Sequence, residues 1–172
     1  MLSDRLKEII VDFPNFPKEG IIFKDILPIL RDTEIFSELI YKMSNWDPIS
    51  KCDALVAIDA RGFIFGTGIA LAAKKPLILA RKPGKLPGDL LENSYKLEYG
   101  INTLSIQRNA LKNFQKFVIV DDLFSTGGTV GSVVNILTDE GKTIIGASAV
   151  VEFKEIFNKS LFNFPIYSQL QF

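Results

Sequence analysis

The chain of 172 residues has no histidine, one cysteine and no long apolar run. Without histidine, a serine–histidine–aspartate hydrolase, a cysteine–histidine protease and a helical HExxH zinc site are all excluded. The lone cysteine, Cys52, has no internal disulfide partner and belongs to no zinc-ligand spacing, so the sequence reads as that of a reduced, cytoplasmic protein. No window approaches the roughly 20 apolar residues of a membrane span, and Met1 to Glu8 is too charged for a secretory signal. Neither sign of charge dominates: 20 Lys and Arg balance 20 Asp and Glu. No global field therefore favours nucleic acid or an anionic membrane as a partner. Acid–base work must fall to carboxylates, lysines or tyrosines, or to a transferred group that needs little proton help.

What is present suits one domain, residues 1–172, because a chain near 150 residues buries roughly 68–70% of its unfolded surface. Leu2 to Ile10 has helical apolar spacing, and Pro14 and Pro17 then break the segment Asp12 to Gly20. Asp32 caps an expected helix running to about Met43. Ala54 to Ile58, Leu77 to Ala80, Phe117 to Val120 and Thr143 to Val151 read as strands. Helices are expected from Gly62 to about Ala73 and from Gly128 to Asp139, with Gly141 at the C-cap of the second. This alternation predicts an α/β fold with a parallel sheet covered on both faces, whose ligands bind beyond the carboxyl ends of the strands. The stretch from Lys82 to about Leu97 holds Pro83, Gly84, Pro87 and Gly88 without sustained periodicity. It is expected to be an irregular lid.

The strongest signal is VDDLFSTGGT, Val120 to Thr129. An apolar strand delivers two carboxylates, a turn of small residues follows, and a helix begins. Gly127 and Gly128 allow close backbone approach, Thr126 and Thr129 supply hydroxyls, and the helix start adds free amides and about half a positive charge. Such a turn cradles a phosphate. Asp121 and Asp122 would repel that phosphate but suit ribose hydroxyls and a nearby magnesium ion. The turn is not a Walker A loop, since GxxxxGK[ST] is absent.

These ten residues resemble the phosphoribosyl pyrophosphate signature of the type I phosphoribosyltransferases. Three further segments resemble the adenine-specific branch: FPKEGIIFKDIL at Phe16 to Leu27, IDARGFIFG at Ile58 to Gly66, and Ala80 to Gly100, where RKPGKLPG leads to SYKLEYG. The resemblance runs from about Pro14 to Val151. It implies a mainly parallel twisted sheet flanked by helices, a small N-terminal hood (residues 1–30) and a catalytic lid loop (residues 82–99). It also implies transfer of the 5-phosphoribosyl group from phosphoribosyl pyrophosphate to adenine, giving AMP and pyrophosphate in purine salvage. Magnesium is implied as the cofactor, held mainly through substrate rather than by direct protein ligands, and a homodimer is implied as the assembly.

Residue by residue, the resemblance gives Ser125, Thr126, Gly127, Gly128 and Thr129 to the 5′-phosphate, and Asp121 and Asp122 to the ribose hydroxyls. Asp59, Ala60 and Arg61 match the pyrophosphate loop, with a cis peptide expected between Asp59 and Ala60. Arg81, Lys82 and Lys85 follow the next strand toward the same polyanion. Glu98 and Tyr99 match the catalytic loop, where a carboxylate accepts or relays the proton leaving adenine. Ile22, Phe23 and Lys24 match the adenine-recognition segment: backbone groups of Ile22 and Lys24 read the base edge, and Phe23 and Leu123 sandwich its ring. Glu98, Arg61, Asp121 and Asp122 are the expected catalytic set.

Ser125 replaces the alanine common in this branch, whereas relatives that use 6-oxopurines carry an aspartate there. Past Val151 the match thins, and Glu152 to Phe172 lacks the usual Gly-Arg pair. Two other readings fit the same fold: a phosphoribosyltransferase for hypoxanthine, guanine, xanthine or orotate, and a nucleotide-sensing regulator. Phe23 and Ser125 speak against the first. The absence of a basic face or added binding domain speaks against the second.

Overall fold

The protein, seen in a computed structural model, is described at residues 1–97 and 100–172; at 96, 97, 100 and 101 the description covers the backbone alone. The N-terminal periodic segment folds as helix α1 (Leu2–Ile9), which buries Leu2 and Leu6. An antiparallel hairpin follows, β1 (Val11–Pro14) with β2 (Ile22–Asp25), setting Phe13 opposite Phe23 and Asp12 opposite Lys24. No sequence signal marks this hairpin, because its strands are short and Pro14 fits a strand only at an edge. The pairing is reinforced by Lys24 Nζ, 2.7 Å from Asp12 Oδ2 and 4.3 Å from the centre of the Phe172 ring.

Helix α2 (Thr33–Ser44) starts where Asp32 predicts: the Asp32 carboxylate accepts from the amides of Glu34 and Ile35 at 3.1 and 2.9 Å. A short helix α3 (Asp47–Lys51) leads into β3 (Ala54–Ile58), α4 (Gly62–Ala73) and β4 (Leu77–Ala80). The segment expected to be irregular up to Leu97 is a strand from Leu90 onward. There β5 (Leu90–Leu97) pairs antiparallel with β6 (Gly100–Gln107). The ribbon holds its shape because Leu104 and Ile106 are buried against the sheet and Arg81 exchanges two backbone hydrogen bonds with Ser105, at 2.9 and 2.7 Å.

The strand expected at Phe117 to Val120 is longer, β7 (Lys116–Phe124). Asp121, Leu123 and Phe124 stay in register with Ala149, Val151 and Glu152 of β8 (Thr143–Glu152), so the two aspartates sit in the ladder and not in the turn. Between these strands lies α5 (Gly128–Asp139), and Gly141 beyond it takes φ +66°. An unanticipated edge strand, β9 (Ile166–Gln171), completes a parallel sheet of order β4-β3-β7-β8-β9.

One face of the sheet packs Leu55, Val118, Val120 and Val150 against α1, α2 and α4. The other packs Val56, Ile119 and Ala147 against α5 and the ribbon. Burial on both faces explains the continuous apolar runs of β3 and β7. Ser3 of α1 accepts a hydrogen bond from Gln169 of β9 at 3.0 Å. Among the described residues no helix is long and apolar enough to cross a membrane.

Candidate active site

Because β4, β3 and β7 are adjacent and parallel, their carboxyl ends bring Arg81, Asp59–Ala60–Arg61 and Asp121–Asp122 to one edge of the sheet. Two ion pairs cross-link these ends. Arg61 Nε lies 2.8 Å from Asp122 Oδ2, and Arg81 Nε lies 3.2 Å from Asp59 Oδ2. The peptide between Asp59 and Ala60 is cis. Each guanidinium also sits over a ring, Arg61 over Phe23 at 5.5 Å and Arg81 over Phe63 at 5.6 Å. At Gly62 a Cβ would stand 2.9 Å from Asp121 Oδ1 and 3.2 Å from Asp121 Cα, so the start of α4 approaches β7 as closely as glycine allows.

Asp121 and Asp122 are both buried, and the Asp122 amide donates to Asp121 Oδ1 at 2.8 Å. Burial, and next the neighbouring Asp122 carboxylate, push the Asp121 carboxyl well above the usual range. The Asp122 amide and Arg61 oppose the rise. Asp122 Oδ2 faces Arg61 at close range, but no hydrogen bond of good geometry reaches this buried oxygen from the described residues.

The turn after β7 reaches α5 through Gly127, whose φ of +84° is a conformation that L side chains rarely adopt. The first bond of the helix runs from the Gly131 amide to the Gly127 carbonyl at 2.8 Å, so the amides of Gly128, Thr129 and Val130 stand outside the ladder. Among the described residues Gly128 N–H has only a long contact to Thr126 Oγ1, at 3.4 Å. A cavity of about 360 Å³ opens beside Gly127 and Gly128, walled by Asn93 and Tyr95 of the ribbon and by Leu161 and Phe162. Ser125 is half-buried at the head of the turn and Thr126 is exposed.

The hood hairpin sets Phe23 beside Phe16, edge to face at 5.2 Å, over an apolar cavity of about 340 Å³ lined by Phe13, Phe16, Phe23, Asp25 and Leu27. Through Arg61, Phe23 is linked to the carboxylates of β7. Ile22 is exposed and Lys24 is half-buried against Asp12. Leu123 is half-buried against the core cluster on the α2 and α4 face.

Not every expected residue converges here. Lys82 and Lys85 stay exposed beyond β4, and the contact of Lys85 with this region is its carbonyl, 3.5 Å from Arg81 Nη1. Glu98 and Tyr99 lie outside the described residues. Conversely, several residues at the turn were not singled out by the sequence. Tyr95 accepts a hydrogen bond from Thr129 Oγ1 at 3.2 Å, and Ser132 Oγ donates to the Asn93 carbonyl at 2.9 Å. Tyr95 lies within the SYKLEYG segment, so its place in that motif was the available signal. Phe157 and Phe162, which meet Gly127, had none. Among the described residues no group of three or more His, Cys, Asp or Glu is placed to hold a metal ion.

Residues 29–156 match the family model described as phosphoribosyl transferase domain. The chain is similar to an adenine phosphoribosyltransferase of Prochlorococcus marinus, 58% identical over 172 residues and covering 100% of both chains. It is similar also to an adenine phosphoribosyltransferase of Halothermothrix orenii, 42% identical and covering 96% of this chain and 98% of the relative. Among solved structures it is similar to the adenine phosphoribosyltransferase of Thermoanaerobacter pseudethanolicus, with TM-score 0.93, 36% identity and 100% of each chain covered. The Saccharomyces cerevisiae adenine phosphoribosyltransferase, crystallised with an imino-altritol bisphosphate and adenine, gives TM-score 0.88 and 32% identity over 97% of each chain.

Proposed function

Since the chain belongs to the phosphoribosyltransferase family, among its adenine phosphoribosyltransferases, we propose that it joins adenine to the ribose of phosphoribosyl pyrophosphate, releasing AMP and pyrophosphate in purine salvage in the cytoplasm. The observation that carries this reading at the site is the juxtaposition of Asp122, Arg61 and the open first turn of α5 at one sheet edge. A sugar phosphate needs those groups together: amides for the phosphate, acids for the sugar hydroxyls and a cation for the leaving group.

In this reading Ser125 to Thr129 grip the 5′-phosphate through backbone amides and hydroxyls. Asp121 and Asp122 orient the ribose by accepting from its hydroxyls, and Asp122 Oδ2 has hydrogen-bonding capacity to spare. The nitrogen of adenine displaces pyrophosphate at the anomeric carbon, with inversion, through an oxocarbenium-like state. Arg61 and Arg81 stabilise the departing charge; each is already aimed by a carboxylate and an aromatic ring. Lys82 and Lys85 add positive charge only if the loop beyond β4 folds inward. Glu98 accepts or relays the proton from adenine, and Tyr99 contacts the phosphoribosyl group. Phe23 stacks on the purine with Leu123 on its other side, while backbone groups of Ile22 and Lys24 read the amine edge.

Magnesium fits this donor set as a companion of the substrate. Two carboxylates and a polyanion suit a hard cation that keeps several non-protein oxygens, and no third acidic residue joins them among the described residues. When bound, it neutralises charge on the pyrophosphate. A homodimer is supported by α4, which is apolar around its circumference yet leaves Ile64 and Leu71 exposed. Sedimentation is expected to give a single dimeric species. The deciding experiment is pyrophosphate release with phosphoribosyl pyrophosphate, magnesium and each nucleobase in turn. Adenine alone should support turnover, and turnover with hypoxanthine or guanine but not adenine would overturn the assignment.

A further inference from the structure

Residues past 156 lie beyond the match to the family model, yet they form one wall of the phosphate turn. Phe157 Cε2 and Phe162 Cζ lie 3.4 and 3.5 Å from where a Cβ on Gly127 would stand. These are ordinary contact distances for such a Cβ, so the two rings flank this residue about one methyl group away, with no side chain between. They belong to a column. Phe157 stacks on Phe124 at 4.9 Å and 14°, Phe162 on Phe157 at 5.7 Å and 23°, and Phe164 tilts against Phe162 at 5.5 Å. Phe124 and Phe157 are almost fully buried, so the column is rooted in the core beside α5.

The segment that carries the rings is itself pinned. The Phe153 amide donates to the Phe124 carbonyl at 2.9 Å, and the Phe157 amide donates to the Phe153 carbonyl at 2.8 Å. The buried Glu152 carboxylate accepts from Ser168 Oγ at 2.7 Å and lies 2.9 Å from Lys159 Nζ. The Asn158 side chain accepts from the Ser160 amide at 3.1 Å, capping the short turn that places Phe162.

We propose that this aromatic column is a positioning device for the 5′-phosphate turn, with Phe162 as the member that lines the cavity there, an inference that rests on the reading of Ser125 to Thr129 as the phosphate site. A turn containing two adjacent glycines is the part of the chain with the most backbone freedom to lose. If binding had to order it, each residue fixed would cost roughly a factor of ten in affinity. With the rings against Gly127, that ordering is complete before the ligand arrives, so the amides meet the phosphate already aimed. Among the described residues no ring of the column meets Phe23 of the hood, so KM for adenine is expected to respond far less.

The test is Phe162→Ala in the full chain, with KM measured separately for phosphoribosyl pyrophosphate and adenine. Calorimetry with ribose 5-phosphate as probe gives the binding constant directly. The expected result is about a tenfold rise in KM for phosphoribosyl pyrophosphate and in Kd for ribose 5-phosphate. kcat and KM for adenine should stay within about twofold, a split that a general loosening of the fold does not produce. Should Phe162→Ala fail to fold, Phe162→Leu, which keeps most of the volume, is expected to give about threefold in the same two quantities. Unchanged phosphate affinity, or equal changes for both substrates, overturns the proposal. Absence of turnover in the parent would instead sink the functional reading, and the ribose 5-phosphate comparison would still decide the role of the column.

Discussion

Every residue of β3 is buried, whereas every residue of β1 is exposed, yet the two are linked, since Arg61 beyond β3 sits over Phe23, the partner of Phe13 in β1. The sheet edge supplies charge. Its arginines and aspartates are fixed by ion pairs and by backbone already committed to a two-sided core. The hood hairpin supplies a surface, held by a few side-chain contacts such as Lys24 with Asp12. Chemistry that must not shift is thus placed where packing leaves no alternative, and recognition is placed on elements whose displacement costs little.

The sharpest way to break this comparison is at the sheet edge. Asp121→Asn combined with Asp122→Asn should lower kcat/KM by about 1,000-fold or more while circular dichroism stays native. Near-normal turnover would remove the acids from the mechanism. In the hood, Phe23→Ala should raise KM for adenine about tenfold, the scale of one lost base-stacking contact, and raise KM for phosphoribosyl pyrophosphate much less, because Asp122 still holds Arg61. If both constants rise together, hood and sheet edge do not divide the labour. Gly62→Ala forces a Cβ against Asp121, with neighbours that are backbone atoms as well as a carboxylate. A destabilisation of about 1–3 kcal/mol in urea unfolding is expected.

The smallest effect is a pH dependence. Burial raises the Asp121 carboxyl in the folded protein above its unfolded value. Its contribution to stability is therefore complete below the unfolded value and is lost as pH rises through the folded one. Asp121→Asn removes that loss, so its stability relative to the parent should improve from pH 4.5 to pH 8. A pH-independent difference in urea midpoint would mean that burial does not penalise this charge.

Local chemistry was readable where one residue decides an element. Asp32 starts α2, the apolar run Ala54 to Ile58 is β3, and Gly128 to Asp139 is α5. The elements missed are those whose partners are remote or whose signal is weak. The strands of the hood are four residues each and the first ends on Pro14, while β5 mixes Glu92, Asn93 and Ser94 into its alternation. The end of β7 was misjudged because Asp121 and Asp122 look like turn residues. They remain in the ladder because β8 runs on beside them to Glu152. At the site, Arg61, Asp122 and Phe23 were nameable from motifs, but the link among them was not. A ring from one hairpin and a carboxylate from the central strand meet only through a guanidinium that folding delivers.

The hydrogen bond from Gln169 to Ser3 joins positions 166 apart, and every pairing in the central sheet is parallel, so each requires a crossover. During synthesis on the ribosome, the flank of β8 stays uncovered until residues 166–171 emerge, and the bond from Gln169 to Ser3 of α1 waits as long. Folding should accordingly be slow for the length of the chain, with closure of this seam among its last events.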